Sequence, residues 1–215
     1  MVKLKAFIIL LYVALPLFSK AQIESDSIFN LLWEGNKRFY TQRAVHPHMD
    51  IETIKSTSNR QKPIALVFTC SDSRVIPESI FDVGIGDLFV VRIAGNIVEN
   101  GVLGSVEYAV NHLDIHHIVV LGHTHCGAIK ATVEMSTDKA HIGWLVNQIR
   151  PAYQNANKQE GDLKMNTTIN NVCNAVSKII TDKRNFIKNR NVDVKIISAL
   201  YHVEDGHVEF LDCNK

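Results

Sequence analysis

Apolar and polar positions along the chain follow two alternating periods. Over 27–42, Ile28, Leu31, Leu32, Phe39 and Tyr40 recur at helical spacing, and Asp26 or Ser25 stands where an N-cap belongs. A weaker helical stretch covers 49–58. Short apolar runs then alternate with helical patterns. The spacing predicts strands over 64–69, 88–93 and 117–121, and helices over 102–113, from 128 to about 135, over 141–157 and over 168–189. Two last runs, 194–201 and 207–211, flank Asp205-Gly206, a turn signal that makes them a hairpin. Strands alternating with helices predict an α/β fold, a mostly parallel central sheet flanked by helices. The hairpin adds an antiparallel C-terminal edge, and the first helices form an N-terminal arm. In such sheets, sites lie beyond the carboxyl ends of the strands.

The first 21 residues break this pattern. Lys3 and Lys5 precede an apolar stretch from Ala6 to Phe18, and Ser19 and Ala21 are small residues at the −3 and −1 positions of a cut after Ala21. This is the layout of a signal peptide over 1–21, leaving a single domain over 22–215. The apolar stretch is shorter than the ~20 residues of a comfortable transmembrane helix. An uncleaved anchor or a buried N-terminal helix are the alternatives. Cleavage predicts export, to the periplasm in a bacterium, with no stable membrane insertion afterwards.

Composition narrows the picture a little. The 215 residues, 46% hydrophobic, suffice for one domain with a real core. The 23 basic and 22 acidic side chains give a net charge of +1. The leader holds three lysines and no acid, so its removal turns +1 into −2. That balance lacks the basic footprint of a nucleic-acid binder. Of four cysteines, Cys173 and Cys213 remain open to a disulfide reading.

The other two stand among chemistry-bearing neighbours. "TCSDSRVIPE" follows the first strand and places Cys70, Asp72 and Arg74 at alternate positions. "GHTHCGA" follows the third strand and supplies His123 and Cys126 at H-x-x-C spacing. Two thiolates and an imidazole suit Zn2+, and three protein ligands leave a fourth position for water, as catalytic zinc sites do. Zinc lowers the pKa of that water to about 7. Asp72 could compete for the metal, and a bidentate pair with Arg74 would hold it back while leaving it able to orient the water. If the strand continues, the three side chains of Cys70, Asp72 and Arg74 share one side. His125 competes with His123 as the imidazole ligand. Taken singly, each piece has an ordinary reading: a core cysteine, a weak H-x-x-C pair, a surface salt bridge.

Together these residues resemble the β-class carbonic anhydrases. The resemblance runs through "LLWEGNKRF", "CSDSRVIPESIFDVGIGDLFVVRIAGN", "GSVEYAV", "VVLGHTHCGA" and "VKIISALYHVEDGHVEFL". It implies zinc on Cys70, His123 and Cys126, and Asp72 with Arg74 as a catalytic dyad. It implies a homodimer or a dimer of dimers, with the N-terminal helices wrapping the partner and the sites near the interface. In the family branch whose site stays open, a Gln, a Phe and a Tyr line the CO2 pocket, and Gln61, Phe89 and Tyr108 match them by position. The ordinary alternative is that Phe89 and Tyr108 are simply core residues. The branch with an allosteric bicarbonate site finds no clear match. Ile93 departs from the family pattern, where a polar residue is common.

The expected reaction is reversible hydration of CO2 to bicarbonate and a proton. Phe89 contributes an apolar wall, and backbone N–H near Gly127 stabilises the developing anion. Tyr108 and His125 are candidates for proton transfer. Two rival readings stand beside this one. Relatives in the family hydrolyse carbon disulfide or carbonyl sulfide with the same ligands. A non-catalytic zinc or redox module would use the cysteines without the dyad.

Overall fold

A computed structural model describes residues 26–134, 140–186 and 193–213. The leader expected over 1–21 lies outside the described residues. In chain order the elements are α1 (Ser27–Tyr40), α2 (Ile51–Thr57), β1 (Ala65–Thr69), α3 (Pro77–Ile80), β2 (Leu88–Arg92), a 3-10 turn (Ala94–Asn96), α4 (Asn100–His112), β3 (His117–His123), α5 (Gly127–Val133), α6 (Ala140–Ala156), α7 (Leu163–Phe186), β4 (Lys195–Tyr201) and β5 (Val208–Leu211).

The described strands form one five-stranded sheet in the order β2-β1-β3-β4-β5. The first four run parallel and β5 pairs antiparallel to β4. Every residue of β1 is buried, which is why it reads as an unbroken apolar run. Its alternate side chains divide between two cores. Leu66 and Phe68 join Ile118 and Val120 under α4 and α7. Ala65 and Val67 join Val119 and Leu121 under Phe29 and Leu32 of α1. The strand order reverses at β1 and β3, because the chain leaves β1 for one neighbour and returns to the other side. Ligand sites of open α/β sheets form at such a switch point. Thr69 at the end of β1 lies opposite Leu121 of β3, and its hydroxyl donates to the Leu121 carbonyl. The segments after β1 and β3 therefore emerge side by side.

Capping sets several ends. Asp26 caps α1 and accepts from the N–H of Ile28 and Phe29, and Asp50 caps α2. Three features differ from the sequence pattern. β3 runs two residues further, to His123. The four-residue α3, with Pro77 at its start, falls where no periodicity could develop. α7 begins at Leu163 rather than near 168, because polar residues face inward there. Thr167 and Thr168 are buried, and their hydroxyls bond back to the carbonyls of Leu163 and Lys164. No described helix is long and apolar enough to cross a membrane.

Cys173 and Cys213 form a disulfide, so α7 is tied to the segment after β5. Cys70 and Cys126 are free and buried.

Candidate active site

Cys70 is the first residue after β1, His123 is the last residue of β3, and Cys126 is the N-cap of α5. All three are buried, and their ligand-type atoms lie within 4.8 Å of one another. The close approach of α7 behind this corner requires Gly122, since a Cβ there would meet Val172 Cγ2 at 2.3 Å.

The histidine tautomer is set by its surroundings. His123 Nδ1 lies 2.8 Å from the Thr124 carbonyl and donates its proton there. Its Nε2 is buried and has no hydrogen-bond partner. A buried ring nitrogen without a proton or partner, beside two thiols, is what a metal ligand looks like. Two soft sulfurs and an imidazole suit zinc.

The thiols bear this out electrostatically. The Cys126 thiol donates to Cys70. Burial opposes ionisation, but the N–H groups of Gly95 and Asp72 add to Cys126 and hold the Cys70 thiol well below its usual range. The same contact, and burial, push Cys126 up. Only a cation between the two sulfurs lets both ionise. Gly95 N–H reaches Cys70 Sγ at 3.2 Å. Gly95 sits at φ +68, and a Cβ there would meet Ile149 Cδ1 at 2.9 Å and Ala128 Cβ at 3.0 Å, so only glycine brings the amide this close.

Asp72 and Arg74 lie beyond the end of β1, in a turn closed by Val75 N–H on the Asp72 carbonyl. The strand expected to align Cys70, Asp72 and Arg74 on one side has already ended. The turn folds Arg74 back instead, and the pair is bidentate: Nε to Oδ1 at 2.9 Å and Nη2 to Oδ2 at 2.8 Å. Arg74 backbone N–H also donates to Oδ1. The Arg74 guanidinium holds the Asp72 carboxyl well below the usual carboxylate range. Asp72 Oδ2 lies 3.9 Å from His123 Nε2 but is turned to the arginine.

Several sequence candidates sit elsewhere. The His125 side chain is exposed and pairs with Glu204, so His125 is outside the ligand cluster. Gln61 is exposed, in the segment before β1. Phe89, opposite Leu66 in the register, packs on the α4–α7 core. Tyr108 is 45% exposed on α4, with its ring 6.1 Å from that of Phe89 and stacked on His112. Neither belongs to the apolar cluster around Cys70 and Cys126, which is built from Ile97, Ile129, Ile149 and Ala152. Ile93, the departure from the family pattern, packs against that cluster. Gly127 opens α5, and a Cβ there would meet open space.

Sequence reasoning missed two supports of the site. Arg92, the last residue of β2, donates from Nε to the Cys70 carbonyl at 3.0 Å and from Nη2 to the Asp72 carbonyl at 2.6 Å, fixing the loop between them. Asn171 of α7 holds the Gly95 carbonyl at 2.8 Å, and so the turn whose amide bonds Cys70. A charged residue closing an apolar strand was the one visible signal for Arg92. Asn171 had none.

Fold and site together define an α/β protein with a candidate metal centre of two cysteines and one histidine at the switch point of its sheet. A family model described as carbonic anhydrase matches residues 65–208. The carbonic anhydrase of Mycolicibacterium smegmatis is 37% identical over 183 residues, covering 83% of this chain and 89% of that one. Carbonic anhydrase 2 of Mycobacterium tuberculosis is 46% identical over 118 residues, covering 55% of this chain and 57% of that one. Among solved structures, a Coccomyxa β-carbonic anhydrase in complex with acetazolamide aligns with a TM-score of 0.65 at 27% identity, covering 84% of each chain. The chain belongs to the carbonic anhydrase family, in its β class, and is an enzyme of that family.

Proposed function

We propose that the protein catalyses the reversible hydration CO2 + H2O to HCO3− + H+, with Zn2+ held by Cys70 Sγ, Cys126 Sγ and His123 Nε2. The observation that carries this reading is the partnerless Nε2 of His123, buried between two thiols and beside a carboxylate that an arginine holds in a fixed pose. Zinc held there supplies a Lewis acid that makes water nucleophilic near neutral pH. Asp72 accepts a hydrogen bond from the attacking water and aims its lone pair at carbon. Arg74 keeps Asp72 ionised and off the metal. The Gly127 N–H, at the first position of α5 and without an intrahelical acceptor, donates to the developing bicarbonate oxygen. The proton leaves to buffer.

The test is stopped-flow CO2 hydration by residues 22–215, with zinc content measured on the same sample. Fast turnover that falls with zinc removal and returns with zinc supports the reading. A zinc-loaded protein inert toward CO2 overturns it, and carbon disulfide and carbonyl sulfide are then the substrates to assay.

The assembly proposed is a homodimer, or a dimer of dimers, joined along the free edge of β2. The residues of that edge strand are at most half-buried, and the Phe89–Tyr108 pair lies beside it. An apolar edge of this kind is a template for pairing. A second copy there would carry its Phe89 and Tyr108 towards the neighbouring site, where with Gln61 they line the CO2 approach. Tyr108→Arg is expected to shift the mass in light scattering towards the monomer and to lower turnover together. A wild-type protein that runs as a monomer removes this proposal. Export is proposed on the leader pattern and on the Cys173–Cys213 disulfide, which suits an oxidising compartment. The intact mass of protein recovered from cells should correspond to a chain beginning at Gln22.

A further inference from the structure

The loop between the two ligands of β3 and α5 consists of Thr124 and His125, and both are held by one side chain from a different part of the chain. Glu204 lies in the turn between β4 and β5. Its Oε2 accepts from Thr124 Oγ1 at 2.7 Å, and its Oε1 lies 2.6 Å from His125 Nε2. The Thr124 hydroxyl is fully engaged, since it also accepts from Val203 N–H at 3.0 Å. Thr124 N–H continues the sheet contact by donating to the Tyr201 carbonyl. Thr124 is therefore fastened to the end of β4 and the turn after it at three points.

His125 carries the consequence towards the dyad. Its φ is +53, a left-handed conformation that is strained for a non-glycine residue and persists only where its surroundings impose it. In that conformation its carbonyl accepts from Arg74 Nη2 at 3.2 Å. The same Nη2 donates to Asp72 Oδ2. A continuous line of contacts thus runs from Glu204 through the His125 ring and backbone to Arg74 and Asp72. Glu204 is 80 residues from Thr124 in sequence, and neither "GHTHCGA" nor "CSDSR" contains it.

We infer that Glu204 is a positioning residue, which latches the loop 124–125 so that the His125 carbonyl completes the hold of Arg74 on Asp72. It touches neither the substrate nor the metal. The inference rests on the zinc-dependent CO2 reading above and deepens it. The Glu204 side chain is half exposed and that of His125 more so, so their contact alone is weak. The latch works because Thr124, which is buried, fixes the carboxylate in place.

The experiment compares wild type with Glu204→Ala, each also in the Asp72→Asn background, by stopped-flow kcat and KM and by the rate of zinc release to a chelator. Glu204 is on the surface, and a melting midpoint confirms that the variant folds. The expected result is a kcat lower by about five- to tenfold with KM little changed, zinc release several-fold faster, and less than a twofold effect on kcat once Asp72 is asparagine. Non-additivity of this kind marks residues that act through one another. Glu204→Gln keeps an oxygen for Thr124 and should recover most of the loss. Unchanged kcat and zinc release in Glu204→Ala overturn the inference, and so does a full loss of kcat that persists in the Asp72→Asn background. If wild type itself fails to hydrate CO2, the functional reading falls, while the zinc-release comparison still decides whether the latch holds the loop.

Discussion

At the scale of residues, the site depends on which atom faces which. His123 offers Nε2 to the centre because Thr124 takes the proton of Nδ1. Asp72 is available to water because three donors of Arg74 hold both its oxygens. Asp72→Asn keeps the size but loses the charge and one acceptor. It should leave zinc stoichiometric and the melting midpoint nearly unchanged, while kcat falls by about two orders of magnitude or more, as the loss of a positioned proton acceptor does. Zinc analysis and stopped-flow turnover on one preparation check it, and near-normal turnover would remove Asp72 from the mechanism.

At the scale of elements, α1 is fastened to the sheet through its cap. The Asp26 carboxylate accepts from Lys195, at the start of β4, and lies 3.1 Å from His117, at the start of β3. Burial by itself would raise its pKa. The Lys195 ammonium, the Phe29 N–H and His117 outweigh burial and hold it at about 2. The folded state thus favours the ionised form. The associated stability is present above the ordinary carboxyl pKa near 4 and is lost as pH falls from about 4 towards 2. A shift of this size corresponds to roughly 2 kcal/mol. Urea unfolding of wild type and Asp26→Asn should therefore differ by about that amount at pH 6, and the two curves should converge towards pH 2. A constant difference across that window would assign the role of Asp26 to something other than its charge.

At the scale of the whole molecule, the disulfide closes a 40-residue span from α7 round the last two strands. Cross-linking a loop of that length restricts the unfolded chain, which stabilises the fold by about 3–4 kcal/mol. Cys173→Ser with Cys213→Ser should lower the midpoint of chemical unfolding accordingly and leave zinc content unchanged, because the bridge is separate from Cys70 and Cys126. Loss of zinc in that double variant would show that the staple also holds the site. The clamp acts on α7. α7 carries Asn171, which braces the Gly95 turn, and Val172, which packs against Gly122.

The sequence by itself determined the α/β class and the parallel sheet with its antiparallel edge, and it singled out Cys70, His123 and Cys126, which the fold brings together. Period and turn signals are local, and C-x-D-x-R with H-x-x-C places each chemical group within a few positions of a strand end. The same locality explains what stayed hidden. The early start of α7 was masked because Thr167 and Thr168 bury their hydroxyls on their own helix, against the expectation that polar residues face water. The strand alignment of Cys70, Asp72 and Arg74 gave way to a turn, since β1 stops where pairing with β3 stops, at Thr69. Phe89 and Tyr108 match a pattern in sequence, yet within one chain Phe89 packs on the α4–α7 core and Tyr108 is partly exposed beside it. Arg92, Asn171 and Glu204 came to light only in three dimensions. Each reaches the site from a distant element through a hydrogen bond to a backbone or loop group, and such a contact leaves no periodicity or spacing in the chain that makes it.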